Sequence, residues 1–301
     1  MSETRSTDPM VIETEETFTS ARTRCAATVY RPEGVTGLAP VIVMGHGITL
    51  TRRDGIPAFA RRFAATGYNV VAFDYRHWGD SDGHPRGWFS LGRQQRDWRA
   101  AVAFARQLDG VDPGRVVLWG FSLSAGMALK AAAADPEIVA VIAVCPMTDG
   151  LAAWLEPAPA GTVLRMVSRA LREAITRRPV TMPVAGRPGD FAVLPTPEAL
   201  PGFEHVTAGR PWRNEVSTSW LLTLPAFRPV TAVPKITAPV LYQVAQHDGM
   251  PSAGQVDKAI PRTPAAGVQR YPMDHFGPFG PEHQPAVAAD ASDFLRAHLA
   301  T

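Results

Sequence analysis

Cysteine is scarce in this chain: Cys25 and Cys145 are the only two among 301 residues, too few for a disulfide framework. No run of about 18 apolar residues occurs, which excludes an ordinary membrane-spanning helix. An excess of one charge is missing too. Thirty Lys and Arg stand against 28 Asp and Glu, a formal net charge of +2, and no basic run is long enough to follow a phosphate backbone. That balance argues against nucleic acid or an anionic membrane as a partner. The polar start Met1-Ser2-Glu3-Thr4-Arg5 lacks the apolar stretch of a secretory signal, so the cytoplasm is the expected compartment. Neither metal-ligand spacing nor a nicotinamide fingerprint nor a phosphate loop is found, and no metal or cofactor is expected.

Charged residues make up only 19% of the chain and hydrophobic ones 46%. That composition excludes wholesale disorder and fits one large domain, or a domain carrying an insertion. Proline is plentiful and unevenly spread. Twelve of the 28 prolines fall between Pro157 and Pro234, together with Trp154, Trp212 and Trp220.

On either side of that segment the chain is regular. The stretch through Tyr30 reads as leading strands closed by the turn Arg31-Pro32-Glu33-Gly34. Pro40 to Met44, Asn69 to Phe73, Arg115 to Trp119 and Ile138 to Val144 are short apolar runs, as expected of strands buried on both faces. Helices fit between them. Ile56, Phe59, Ala60 and Phe63 share one face and Gly67 stands at the end; Trp98, Val102, Ala105 and Leu108 share another; Ala125 to Ala134 forms a third, rich in small residues. Strands at Pro239 to Val244 and Val268 to Tyr271 and a helix near Pro285 to Leu299 close the chain. The alternation predicts an α/β fold, a mostly parallel sheet covered by helices on both faces. Residues 1–150 and 238–301 form its two parts, and 151–237 is an insertion with helical fragments at Leu164 to Ile175 and Asn214 to Leu224.

The chemistry concentrates at Gly120-Phe121-Ser122-Leu123-Ser124-Ala125-Gly126, where a buried strand meets the small-residue helix. A serine at such a turn is held in a strained backbone conformation with its hydroxyl raised above the sheet, and small neighbours let strand and helix pass closely. Ser122 stands at the strand end and is the candidate nucleophile. Ser124, its rival, falls within the helix's first turn. A serine hydroxyl needs a histidine to take its proton and an acid to orient that histidine. Asp248 directly follows the strand Pro239 to Val244, with Asp149 as the rival acid after Ile138 to Val144. His275 lies in the loop before the closing helix. His283 and His298 read as surface residues, and His247 as packed or solvated. The N–H of Leu123, following the nucleophile, and that of Ile48, after Gly45-His46-Gly47, are the candidate oxyanion donors. Asp74 to Gly83 reads as turns, local hydrogen bonds and a helix cap, with His77 and Trp78 candidates for lining a pocket. Cys145 reads as a small core residue.

With these residues in place the sequence resembles the α/β-hydrolase superfamily: His46-Gly47, Phe73-Asp74-Tyr75-Arg76 through Gly79 and Ser81, the Gly120 to Ser124 turn, Asp248, and His275-Phe276, over nearly the whole chain outside the insertion. More narrowly it is similar to dienelactone hydrolase-like and peptidase S15-like serine hydrolases, with a branch of polyketide-associated hydrolases and acyltransferases. Dienelactone hydrolase itself uses cysteine where this chain has Ser122. The resemblance implies an α/β-hydrolase fold with the insertion as a helical lid, its Trp154, Trp212 and Trp220 suited to an apolar acyl chain. It implies a small-molecule ester, thioester or lactone substrate, attacked by Ser122 with His275 as base and Asp248 as orienting acid. The same residues would serve an acyltransferase or cyclase with an alcohol or amine acceptor, a carbon–carbon bond hydrolase, or a non-catalytic binding protein. A homo-oligomer is left open.

Overall fold

Val11–Ser20 (β1) and Thr23–Pro32 (β2) pair as an antiparallel hairpin whose two-residue turn, Ala21 and Arg22, has positive φ at both positions (44° and 70°). That turn geometry matches the right-handed twist of the strands it joins. The computed structural model describes residues 11–250 and 253–299; the polar start Met1 to Arg5 lies outside them.

Six further strands complete one sheet: Ala39–Gly45 (β3), Asn69–Phe73 (β4), Val111–Phe121 (β5), Ile138–Val144 (β6), Val240–Ala245 (β9) and Ala266–Tyr271 (β10). The spatial order is β1-β2-β4-β3-β5-β6-β9-β10, parallel from β4 onward. β3, β4 and β9 are buried along their whole length, which is why they read as largely apolar runs rather than alternating ones. Because β3 pairs with β4 on one side and β5 on the other, the chain reverses its direction of travel across the sheet there. The loops after β3 and β5 therefore open at a switch point, where such sheets leave a crevice.

Helices Ile56–Ala65 (α1), Leu91–Ala105 (α2), Leu123–Ala132 (α3) and Gln284–Leu299 (α9) cover the faces, α1 packing with α9 and α2 with α3. α1 buries Ile56, Phe59, Ala60, Phe63 and Ala64, each large side chain contributing about 1.5–3 kcal/mol. It stops at Gly67, which has φ +98°, a conformation that costs other residues more. α2 buries Trp98 and Val102 and the carboxylate of Asp97, which is paired with Arg76 at 2.6 Å and accepts the Ser20 hydroxyl at 2.6 Å.

Residues 150–236 add no strand to this sheet. They form Gly150–Trp154 (α4), Ala160–Thr176 (α5), a small ribbon of Thr181–Met182 (β7) with Val216–Ser217 (β8), Ala199–Thr207 (α6) and Pro229–Ala232 (α7); Val256–Ala259 (α8) follows β9. The helical fragment expected over Asn214 to Leu224 shrinks to a 3-10 turn at Ser219–Leu222, preceded by β8. Tertiary hydrogen bonds override its apolar pattern. The buried Glu173 carboxylate of α5 accepts the Thr218 N–H (2.6 Å), the Ser219 hydroxyl (2.7 Å) and the Trp88 indole N–H (3.1 Å), pinning the segment to α5 and to the loop before α2.

A buried ion cluster anchors the loop after β3. Arg52, 2% exposed, pairs with the fully buried Asp74 and with Glu15 and Asp80, while Asp74 also accepts the N–H groups of Arg52 (2.7 Å) and Asp80 (3.0 Å). Ser81 closes the loop after β4, donating to the Asp74 carbonyl and accepting from Ala26 N–H. The Asp74 to Gly83 stretch is thus turns and local bonds, but it caps no helix: α2 starts after Ser90, which makes no side-chain cap bond. Removing one member of a buried pair strands the other charge. Arg52→Met should lower unfolding free energy by about 3–5 kcal/mol; denaturant unfolding checks this, and a loss under about 1 kcal/mol would contradict it.

Candidate active site

Ser122 follows β5 with φ 58° and ψ −124°, a strained conformation costing about 1–3 kcal/mol that persists only where its surroundings enforce it. They do. Its N–H donates to Val144 O of β6 and its C=O accepts from Met147 N–H. A Cβ at Gly120 would stand 2.6 Å from the Ser124 carbonyl oxygen, so only glycine lets β5 and α3 approach this closely. Ser124 departs from the usual glycine of such turns, and β3 makes the room. Gly45 leaves the space in which the Ser124 hydroxyl lies, where any Cβ would collide with it and with Trp98. Ser124 is 1% exposed and bonded to Tyr75 Oη at 2.5 Å, which in turn accepts the Trp98 indole N–H at 2.9 Å. The rival serine is a core hydrogen-bonding group.

Parallel pairing carries the other two side chains together. β9 and β10 are in register up to Ala245 and Tyr271, and the pairing continues beyond them: Gln246 N–H donates to Tyr271 O and His247 N–H to Met273 O. Asp248 and His275 are thereby adjacent. His275 Nδ1 lies 2.8 Å from Asp248 Oδ2, and its Nε2 3.0 Å from Ser122 Oγ. The ring is buried against Phe121, centroids 4.9 Å apart. Burial opposes a charge on His275, but the Asp248 carboxylate, with Glu198 and Asp274, outweighs it and raises the imidazole above its ordinary value. Asp248 Oδ1 accepts Met250 N–H at 3.0 Å.

Asp149 sits differently. It caps α4 through Leu151 and Ala152 N–H and pairs with Arg228 through both carboxylate oxygens. Burial opposes its ionisation, yet Arg228 and those amides hold the carboxyl below its ordinary value. His247 is exposed, as is His298, and His283 is half-buried.

A cavity of about 320 Å³ opens over Ser122 and His275. Leu123 and Ile48 line it, as do Trp154 and Trp220 from 150–236, and Val163 and Met166 of α5 extend its apolar wall. Leu123 N–H, at the first position of α3, has no intrahelical acceptor, and Ile48 lies in a turn fixed by Leu50 N–H to Gly47 O and by φ 58° at Thr49. His77, Trp78 and Trp212 are elsewhere. They line a second cavity of about 290 Å³ on the other side of that turn, with Thr49, Arg86 and Glu215. His77 Nδ1 is bonded to Pro85 O, and Trp212 stacks on Phe203 with centroids 4.5 Å apart. As substrate-lining candidates these three therefore part company with Trp154 and Trp220: Ile48 borders the first hollow, and Thr49 and Thr51 border the second.

Cys145 is a core residue, as its sequence context suggests, but its place beside Asp248 and His275, like that of Glu198, escapes sequence reading. Cys145 is buried but also lines the first cavity; its Sγ, a carboxylate oxygen of Asp248 and a nitrogen of His275 lie within 4.8 Å of one another. Burial, aided by the Asp248 charge, pushes the thiol well up, and Asp248 and His275 already hold each other. Glu198, just before α6, accepts Gly249 N–H at 2.9 Å. The positive φ of 45° at Cys145 and the tertiary approach of Glu198 have no local sequence mark.

The sequence pattern of the X-Pro dipeptidyl-peptidase (S15) family matches residues 22–168. The chain is 37% identical over 285 residues to the quorum-quenching protein AidA of Acinetobacter baumannii, covering 93% of each protein. It belongs to the α/β-hydrolase superfamily. Within it, the chain is 38% identical over 110 residues to thiohydrolase aneE of Aspergillus aculeatus, 36% of this chain and 35% of that one. Among solved α/β-hydrolase-like structures, DcsB in complex with its substrate analogue superposes with TM-score 0.82 at 20% identity, over 95% of this chain and 100% of that one. The α/β hydrolase GrgF from a Penicillium species gives 0.79 at 19% identity, over 96% and 100%. These last two likenesses speak to the fold. Among the described residues no helix is long and apolar enough to cross a membrane.

The two acids should separate by experiment. Asp149→Ala should cost about 1 kcal/mol of stability as a lost helix cap, read by denaturant unfolding; unchanged stability with turnover down a thousandfold would contradict this.

Proposed function

We propose that this α/β-hydrolase is a serine hydrolase that cleaves an ester, thioester or lactone of an apolar acyl compound through an acyl-enzyme on Ser122. The observation that carries the reading is the hydrogen-bonded line from Ser122 Oγ to His275 Nε2 (3.0 Å) and from His275 Nδ1 to Asp248 (2.8 Å), at the floor of an apolar cavity. With the Nδ1 proton donated to Asp248, Nε2 presents its lone pair to the serine hydroxyl. Ser122 Oγ attacks the carbonyl carbon as its proton passes to Nε2. The N–H groups of Leu123 and Ile48 hold the oxygen that becomes negative. Collapse breaks the bond to the leaving alkoxide or thiolate, which takes the proton from His275. Water then attacks the acyl carbon as its proton passes to His275; collapse breaks the bond to Ser122 Oγ, which takes that proton back and releases the acid.

The relatives' names support acyl chemistry: one is a thiohydrolase, and another, acyltransferase drtE of Aspergillus calidoustus, is 38% identical over 109 residues. An alcohol acceptor in place of water would make the same machinery a transferase. Residues 150–236 act as the lid in this reading, since Trp154, Val163, Met166 and Trp220 supply much of the cavity's apolar wall.

A fluorophosphonate probe should label the wild type and not Ser122→Ala, and Ser122→Ala and His275→Ala should each lower turnover by about 10³-fold or more with little further loss when combined. Equal labelling of Ser122→Ala would overturn the reading. Trp154→Ala, which lengthens the cavity, should shift the kcat/KM ratio of long-chain over short-chain acyl esters upward by about tenfold; an unchanged ratio would remove Trp154 from the acyl-binding wall.

A further inference from the structure

Residues 150–236 reach the acid loop through one carboxylate. Glu198 Oε1 accepts Gly249 N–H at 2.9 Å, and Asp248 Oδ1 accepts the next amide, Met250 N–H, at 3.0 Å. The two successive N–H groups after Asp248 are divided between two carboxylates, and Asp248 keeps Oδ2 for His275. The helix that Glu198 precedes grips the neighbouring loop as well. Gly202 of α6 lies so close to the Phe276 ring that no Cβ would fit, and Phe203 meets Phe276 edge-on with centroids 5.1 Å apart. One short helix thus holds both the Asp248 loop and the His275 loop.

We propose that Glu198 is a positioning residue that fixes the Asp248 loop through Gly249 and, by its negative charge, sets the proton affinity of His275. The proposal rests on the Ser122 reading and deepens it, because it makes part of the lid a determinant of the base. The groups facing His275 are Asp248, Asp274, Glu198 and the Cys145 thiol. Asp248 is bonded to the ring directly. Asp274 is committed to its own turn, accepting Phe276 N–H (3.0 Å) and Gly277 N–H (2.8 Å). Cys145 is kept neutral by burial. Of the four, Glu198 alone comes from residues 150–236. Burial, followed by the charges of Asp248 and Asp274, raises the Glu198 carboxyl above its ordinary value against the pull of Gly249 N–H and His275. Charge on Glu198 and charge on His275 are therefore coupled.

The test compares wild type, Glu198→Gln and Glu198→Ala in three readouts: fluorophosphonate labelling, the pH dependence of kcat/KM on an activated ester, and the NMR titration of the His275 imidazole. Gln keeps an oxygen for Gly249 N–H and removes the charge. In Glu198→Gln the acid limb of kcat/KM and the His275 titration should both move to lower pH, since a protonated imidazole loses a favourable neighbour. Glu198→Ala should show the same displacement and, lacking the acceptor, an additional fall of roughly tenfold in the plateau kcat. A labelled enzyme whose His275 titration and acid limb are unmoved by Glu198→Gln would overturn the proposal. Absence of wild-type labelling would count against the Ser122 reading, while the imidazole titration would still decide the role of Glu198.

Discussion

The close passage of β3, β5 and α3 is the constraint on which this structure depends. Strand and helix approach at Gly120 to within a distance that admits no Cβ, and Gly45 yields the volume that Ser124 fills. Only with that contact made is the unfavourable backbone of Ser122 worth keeping. Its two hydrogen bonds to β6 and the following loop then hold the hydroxyl at the mouth of the crevice. The same contact sets α3 so that the N–H of Leu123 has no helical acceptor. A local packing requirement thereby accompanies both the raised serine hydroxyl and a backbone N–H without a helical partner beside it.

The remaining parts reach this point by different physical routes. Parallel pairing between β9 and β10 continues past the strand ends and delivers Asp248 and His275 side by side without long-range adjustment. The loop of Ile48 is held from the opposite flank by Arg52 and Asp74, whose charges are buried and mutually satisfied. Residues 150–236 have no sheet of their own to organise them beyond a two-stranded ribbon. Two carboxylates do that work: the buried Glu173 gathers Thr218, Ser219 and Trp88, and the half-buried Glu198 ties the segment to the loop of Asp248.

What could be read from sequence follows that division. β3, β4, β6 and α1 were legible because burial on both faces of a parallel sheet leaves unbroken apolar runs, and an amphipathic helix leaves a 3.6-residue period. Ser122, Asp248 and His275 were legible as a group because each follows a strand end, where the fold exposes side chains, and the structure brings the three within hydrogen-bonding distance. Asn214 to Leu224 misled because its apolar spacing suits a helix, while Glu173, far away in sequence, takes the amide of Thr218. The place of His77 and Trp78 after a strand end, and the aromatic character of Trp212, suit a pocket wall but do not say which pocket; that these three line one cavity and Trp154 and Trp220 the other has no signature in composition. Glu198 could not be found at all, since its partner, Gly249, lies 51 residues on and only the packing of α6 joins them.

The proposed chemistry turns on a covalent acyl intermediate on Ser122. Rapid mixing with a slowly deacylated long-chain ester, acid quenching and mass spectrometry of the digested protein would detect it. A transient acyl mass is expected on the peptide holding Ser122, lost in Ser122→Ala and persisting longer as the pH is lowered and His275 becomes protonated. An adduct on Ser124 or Cys145 instead, or turnover with no adduct at any time, would contradict it.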